Sequence, residues 1–185
     1  MPLNAYDVAI GVFVRGLSNL KAQLRKAEDH AASSSGGEAT LLSAQLTTDP
    51  GVPAAAADLH RYALAAHVHW AAEGALLAVA QLLGASRVPA QSDARSFADL
   101  YQRLDAAIDS LQKVAPGDLE AGLDRVIEHR RGVRASGSQF LLAFAIPHFT
   151  YHLTTAYGIL RNQGVPLTMG DFLGNWGSAP PELTR

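Results

Sequence analysis

Two histidines four residues apart are the clearest chemical signal in the sequence. His148 and His152 lie in the stretch PHFTYH, and residues at positions i and i+4 of a helix project from one face about a turn apart. Two imidazoles in this arrangement can bind one metal ion, or they can exchange protons with a ligand. The alternative is a pair of histidines at the edge of the core, each hydrogen-bonded to a backbone or hydroxyl group. On spacing alone, this alternative is the better interpretation.

Ionisable residues also interrupt an apolar stripe in the middle of the chain. His69 and Glu73 occupy successive positions of a row that otherwise holds Leu, Tyr and Ala at helical spacing. Buried ionisable side chains need partners, so we expect this pair to face His148 and His152 across a helix bundle. His67 lies two residues from His69, on roughly the opposite side of the helix, and is the alternative ligand. Alternatively, Glu73 lies at a solvent-exposed end of the bundle and pairs with one histidine.

The elements that position these residues are predicted to be helices. Apolar residues recur every three or four positions in four segments, at about residues 4–31, 54–83, 94–114 and 139–162. Pro147 lies inside the last segment, so that helix either kinks there or starts its histidine-bearing part there. Around Gly132 an irregular hairpin is predicted, and after Gly164 a loop and tail.

Four long amphipathic helices joined by loops predict an all-α fold, a four-helix bundle whose core sites are built by facing helices. The third helix is expected to begin at an N-cap at Ser92 or Asp93. Because the chain has no internal repeat, we assign residues 1–174 to a single domain and residues 175–185 to a C-terminal tail.

Composition excludes several classes of function. The chain has no cysteine, which excludes disulfides and thiolate zinc sites, and its net charge of -2 makes nucleic acid an unlikely partner. Every apolar stretch is too short to span a bilayer, and the N-terminus has no basic segment before its apolar residues, so we expect a cytoplasmic protein without a membrane partner. The motifs of serine hydrolases, phosphate loops and dinucleotide-binding domains do not occur.

Three segments carry a family resemblance: AYDVAIGVFVRGLSNLKAQLRKAEDHA, LLSAQLTTDP and FAIPHFTYHLTTAYGILRNQGVPLTMGDFLG. They resemble an uncharacterised domain-of-unknown-function family within the DinB/YfiT-like superfamily. The resemblance implies a four-helix bundle and a divalent metal held by one histidine of the second helix and an H-x-x-x-H pair of the fourth. That pair corresponds to His148 and His152, and the second-helix ligand falls near His67 to His69. The nearer family usually has Asn where this chain has His148.

Together these observations predict a metal-dependent enzyme for a small-molecule substrate. His69, His148 and His152 are the predicted ligands of a divalent ion (zinc, nickel, iron or manganese), and Glu73 is a fourth ligand or a base. Tyr151, with Thr155, is a candidate donor beside the site. The first alternative is a metal-free enzyme in which a histidine and Glu73 perform acid/base chemistry on an aromatic or polyketide-like substrate. The second is a bundle without catalytic activity that binds a ligand or forms a homodimer.

Overall fold

Helices make up most of the chain that the structure, a computed structural model, describes, namely residues 4–33, 36–46, 63–91, 94–129 and 132–175. A π-helical turn, Asp7–Gly11, leads directly into α1. The elements that follow it in chain order are α1 (Val12–Ser33), α2 (Gly37–Ser43), α3 (Leu64–Leu83), α4 (Phe97–Gln112), α5 (Glu120–Leu123), β1 (Val126–His129), β2 (Val133–Ser136), α6 (Gly137–Phe140), a second π-helical turn (Leu141–Ala145), α7 (Ile146–Asn162) and α8 (Met169–Leu173).

The four long helices pack as a bundle, as the apolar spacing predicts. α3 lies between α4 and α7, and α1 contacts the same two helices from the other side. Phe13 of α1 and Phe149 of α7 meet edge to face in the core, with ring centroids 5.0 Å apart. Burying a side chain of this size stabilises the fold by about 1.5–3 kcal/mol, so such contacts hold α1 against α7.

Side-chain caps determine where α4 begins. Ser96 accepts a hydrogen bond from the backbone N–H of Asp99, and the Asp99 carboxylate accepts one from the backbone N–H of Ser96. This reciprocal cap satisfies two amides that the first turn leaves unpaired. The expected N-cap at Ser92 or Asp93 is therefore wrong, and both of those residues lie outside the described part of the chain.

The histidine-bearing helix is built from three pieces. α6 begins at a second capping box, formed by Ser136 and Gln139, and continues through the π-helical turn into α7. Pro147 lies in the first turn of α7, directly after the π-helical turn. A proline removes one backbone donor, and a change of helical hydrogen-bonding pattern accommodates that loss. Of the two outcomes predicted at Pro147, the structure has the one in which the histidine-bearing part begins there.

The predicted hairpin is present, whereas the predicted C-terminal loop contains a helix. β1 and β2 pair antiparallel with Val126 opposite Ser136, and Gly132 between them has a left-handed φ of 75°. α8 begins at a capping box of Thr168 and Asp171, which the Gly- and Pro-rich composition of this region conceals. The second predicted helix, 54–83, begins only at Leu64, because Ala63 before it has an extended backbone with ψ of 166°; residues 54–62 lie outside the described part. In the described ranges no helix is long and apolar enough to cross a membrane.

Candidate histidine site

Packing of α3 against α7 brings three imidazoles together in the bundle. Nδ1 of His67 on α3 lies 3.0 Å from Nδ1 of His152 on α7. Nε2 of His152 lies 3.3 Å from Nε2 of His148, one turn earlier on α7. His67 and His152 are only 4% and 3% exposed, and His148 is half-buried. The three rings form a row, the histidine chain, in which the central His152 uses both of its ring nitrogens.

Burial keeps the central ring neutral. It lowers the pKa of His152 to about 3, with further contributions from His148, His67 and His69. A neutral imidazole has one N–H and one lone pair. His152 therefore donates to one neighbour in the histidine chain and accepts from the other, so that the tautomers of the three rings depend on one another.

Aromatic rings lie on the exposed side of the histidine chain. The Phe144 ring is stacked on His148 with centroids 5.4 Å apart and an interplanar angle of 23°. The Tyr151 ring meets His152 edge to face at 5.1 Å. Phe144 and Tyr151 are 39% and 52% exposed, so both rings face solvent beside the partly open His148. Tyr151 thus borders the histidine chain through its ring, and the hydroxyl of Thr155 donates to the Tyr151 carbonyl oxygen at 2.8 Å.

Two residues that shape the site do not stand out in the sequence. Phe144 lies one turn before His148 and looks like one more apolar core residue. Gly74 of α3 faces His148, because a Cβ at this position would lie 3.1 Å from Nδ1 of the imidazole. A glycine inside a helix lowers the stability of the helix by up to about 1 kcal/mol relative to alanine. An interior glycine therefore indicates, though only weakly, that another group packs closely against the helix at that position.

His67, the alternative ligand, is the α3 histidine in direct contact with His152. His69 is buried as well, with 1% of its surface exposed, and its ring meets the Trp70 indole at a centroid distance of 5.1 Å. Both histidines are buried although they project from different sides of the helix, because α3 has α4 on one side and α7 on the other. The apolar stripe favoured His69, but the row that faces His152 contains His67.

Glu73 is buried as predicted, but its partners are not the histidines. Nη2 of Arg87 donates to both carboxylate oxygens, at 3.1 and 3.2 Å, and the backbone N–H of Ala90 donates at 3.3 Å. The residues after α3 fold back over the helix and bring the guanidinium to the carboxylate. These contacts contradict the prediction that Glu73 is a metal ligand or a base beside the imidazoles.

The donors of the histidine chain suit a divalent ion in kind but point to different places. Neutral imidazoles are common zinc ligands, and bonds of 2.0–2.1 Å in a tetrahedron place ligand atoms about 3.3 Å apart. The separations of 3.0 and 3.3 Å are similar, yet they involve two different nitrogens of His152. Accordingly, no group of three or more His, Asp or Glu side chains in the described ranges is arranged to hold a metal ion.

The fold and the site define a class of protein: a four-helix bundle with a buried row of histidines between two of its long helices. Residues 5–173 match the family model described as Domain of unknown function (DUF1993), and the chain belongs to this family. It is also similar to the crystal structure of a DinB family member protein from Shewanella denitrificans, with a TM-score of 0.82 and 29% identity over 95% of each chain. These findings confirm the predicted family and fold. No curated protein matches the chain.

Proposed function

We propose that the protein is an enzyme that acts on a small uncharged molecule and that the histidine chain moves protons during the reaction. The observation that carries this proposal is the pair of nitrogen contacts, at 3.0 and 3.3 Å, that link three rings through a neutral His152. Histidine is the commonest general acid and base in enzymes. A row of linked imidazoles can in addition pass a proton from the half-open end of the site to its interior.

His148 is the proposed catalytic base, because it is the half-buried member of the histidine chain and a ligand can reach it. When His148 takes a proton from the substrate, it can donate its Nε2 proton to His152. His152 then passes its Nδ1 proton to Nδ1 of His67, which keeps it. His148 and His152 end the step neutral, each with its other nitrogen protonated, and His67 ends it as an imidazolium whose charge balances that of the deprotonated substrate. His152 and His67 are positioning residues in this scheme. The exposed rings of Phe144 and Tyr151 favour a planar substrate at the opening.

The test uses a substrate whose reaction requires only a base. Removal of one carbon-bound proton from 5-nitrobenzisoxazole breaks its N–O bond and releases a coloured phenolate. We expect turnover that persists in excess chelator and falls at least about a hundredfold in His148→Ala, the lower range for loss of a general base, and clearly in His152→Ala as well. His30→Ala, a substitution at the end of α1, is the matched control. Equal rates in wild type, His148→Ala and His152→Ala would contradict the proposal.

Metal binding is the second candidate, favoured by the similarity between the observed nitrogen separations and those of a tetrahedral site. His67, His148 and His152 would hold the ion, which would supply Lewis acidity and make a bound water more acidic. One nitrogen of His152 must then serve the ion alone, which requires the ring to turn from its present contacts.

Elemental analysis of protein expressed without a His tag, followed by calorimetric titration with zinc chloride, tests this candidate. Near-stoichiometric metal that is lost in His67→Ala and His152→Ala, and kept in His69→Ala, is the expected result. If the metal is lost in His69→Ala and retained in His67→Ala, the result would instead support the ligand set predicted from the sequence. No bound metal in any variant would exclude the second candidate and leave the proton-transfer proposal to its own test.

A further inference from the structure

The outer sides of α3 and α7 together form a surface without charged groups. Residues 135–160, which include all of α7 except its last two residues, contain no Asp, Glu, Lys or Arg, although such residues make up 17% of the chain. In α3 only Glu73 is charged, and it is buried and paired with Arg87. The exposed side of a helix ordinarily carries charged and polar residues. The composition of these two helices is therefore that of a surface that packs against another one.

This surface consists of two adjacent rows of side chains. On α3 the row recurs every three or four residues and is half-buried: Ala66, Trp70, Gly74 and Leu77. The row on α7 and the turn before it has a similar spacing and is exposed: Phe144, Pro147, Tyr151 and Thr154. The rows lie side by side, because a Cβ added at Gly74 would lie 3.1 Å from the imidazole of His148. These eight residues are the uncharged face.

The size of the uncharged face approaches that of a stable protein interface. At about 1.5 Å per residue, α3 is about 30 Å long and α7 about 26 Å. Two helices side by side, with axes about 8–10 Å apart, present a band about 20 Å wide and about 500–600 Å² in flat projection. The accessible surface follows the side chains and exceeds this projection. A standard interface buries about 800 Å² on each partner.

A second copy of this chain is the partner that fits such a face. In a two-fold dimer the same patch lies on both sides of the interface, so a charge near the axis meets its own copy. A face without charge avoids that repulsion. The cores of interfaces are depleted of charged residues and enriched in aromatic ones, which Trp70, Phe144 and Tyr151 supply here. We propose that the protein forms a homodimer in which the uncharged faces of two copies pack together.

The dimer places the opening of the histidine chain between the two copies. His148 is half-buried, and Phe144, which is stacked on its ring, belongs to the uncharged face. Tyr151, on the other side of the opening, belongs to this face as well. The second copy thus supplies a wall that a single chain lacks and excludes water from a bound substrate. This consequence rests on the proposed function, whereas the dimer itself does not.

Sedimentation velocity over a range of protein concentrations tests the dimer. We expect twice the mass of the chain and a Kd of about 1 µM or lower, the weak limit for an interface of standard size. Thr154→Arg places two like charges in the interface and should raise Kd at least about a hundredfold. The matched control is Ser18→Arg, at an exposed position of α1 across the bundle from α3, and should leave Kd unchanged.

The lack of cysteine in the chain allows an independent measurement. Thr150→Cys and Thr154→Cys each introduce one thiol at an exposed position of α7. At least one of them should give a covalent dimer under mild oxidation, whereas Ser18→Cys should stay monomeric in denaturing gels. A wild type that is monomeric at every concentration would overturn the proposal. A dimer that is equally tight in Thr154→Arg would overturn it too, because the copies would then associate through another surface.

Turnover of 5-nitrobenzisoxazole distinguishes the failure of the dimer from the failure of the proposed function. Monomeric Thr154→Arg should lose turnover and regain it at concentrations at which it dimerises, whereas Ser18→Arg should match the wild type. Full turnover by monomeric Thr154→Arg would overturn closure of the site by the second copy. A dimeric wild type without turnover would contradict the proposed function alone.

Discussion

The two sides of α3 bury ionisable groups in different ways. Towards α7, His67 lies against His152, and the pKa of His152 is lowered so far that the ring is neutral. Towards the residues that follow α3, Glu73 is paired with Arg87 and borders a polar cavity. Burial thus removes the charge of an imidazole on one side, and a guanidinium compensates the charge of a carboxylate on the other.

The difference follows from the ordinary pKa of each group. An imidazole loses its proton near pH 6.5, so becoming neutral at pH 7 costs almost nothing. A carboxylate is ordinarily charged at neutral pH, and a buried one such as Glu73 needs a cation beside it. At neutral pH, one side of α3 therefore holds neutral rings, and the other holds a carboxylate whose charge is compensated by Arg87.

Among substitutions that test this contrast, removal of the Arg87 guanidinium should have the largest effect on stability. Arg87→Met leaves the buried Glu73 carboxylate with the single backbone donor of Ala90. We expect the free energy of unfolding to fall by about 2–3 kcal/mol, at the lower end for a broken buried ion pair because Arg87 is partly exposed. Urea unfolding at pH 7 measures the change.

A double variant separates the unpaired charge from lost packing. Arg87→Met combined with Glu73→Gln should recover most of the lost stability, because the second substitution removes the charge that the first leaves unpaired. If the double variant is as unstable as Arg87→Met alone, the pairing of Glu73 with Arg87 does not account for the stability of this side of α3.

The buried His152 should make the stability of the protein depend on pH. The pKa of His152 is about 3 in the folded chain and near 6.5 when unfolded, so only the unfolded chain gains this proton between those values. Stability should therefore fall as the pH is lowered from 6.5 towards 3, by at most about 1.4 kcal/mol per pH unit. Urea unfolding at pH 6.5 and pH 5 should show a loss of about 1.6 kcal/mol from this group.

His152→Gln is the comparison that isolates this contribution, since Gln does not titrate. The variant should lose about 1.6 kcal/mol less than the wild type over the same pH interval. His30→Gln is a matched control at the end of α1 and should follow the wild type. Identical pH dependence of the wild type and His152→Gln would contradict the buried neutral ring.

The smallest expected effect concerns the close approach of α3 to His148. A methyl group added by Gly74→Ala would lie 3.1 Å from Nδ1 of the imidazole, whereas Gly158→Ala would meet its nearest neighbour, Leu46, at 3.5 Å. Gly158→Ala should stabilise the protein by up to about 1 kcal/mol through helix propensity. Gly74→Ala should lack this gain and be less stable than Gly158→Ala by about 1–2 kcal/mol because it overpacks the site.

Thermal unfolding of the two glycine variants provides the measurement. The two substitutions add the same methyl group within long helices, so their difference reports the surroundings of each glycine. Equal stabilisation by both would show that His148 moves away from α3 without cost, and would weaken the case for a fixed histidine chain.

The sequence predicted the long helices well, but the pairing of side chains less well. Spacing of apolar residues located the four long helices, and Gly132 marked the hairpin. The same spacing favoured His69 over His67, because a stripe along one helix identifies one buried face and α3 has two. Glu73 was correctly expected to be buried, but its partner Arg87 lies in an irregular segment that no periodic pattern describes.

What the sequence by itself determined is local: which segments are helical, and that His148 and His152 share a helix face. Such features depend on residues within a few positions of one another. Only the tertiary structure decided that His67 contacts His152 and that Arg87 reaches Glu73. Those contacts depend on how helices rotate about their axes and how connecting segments return, and both are consequences of packing the whole chain.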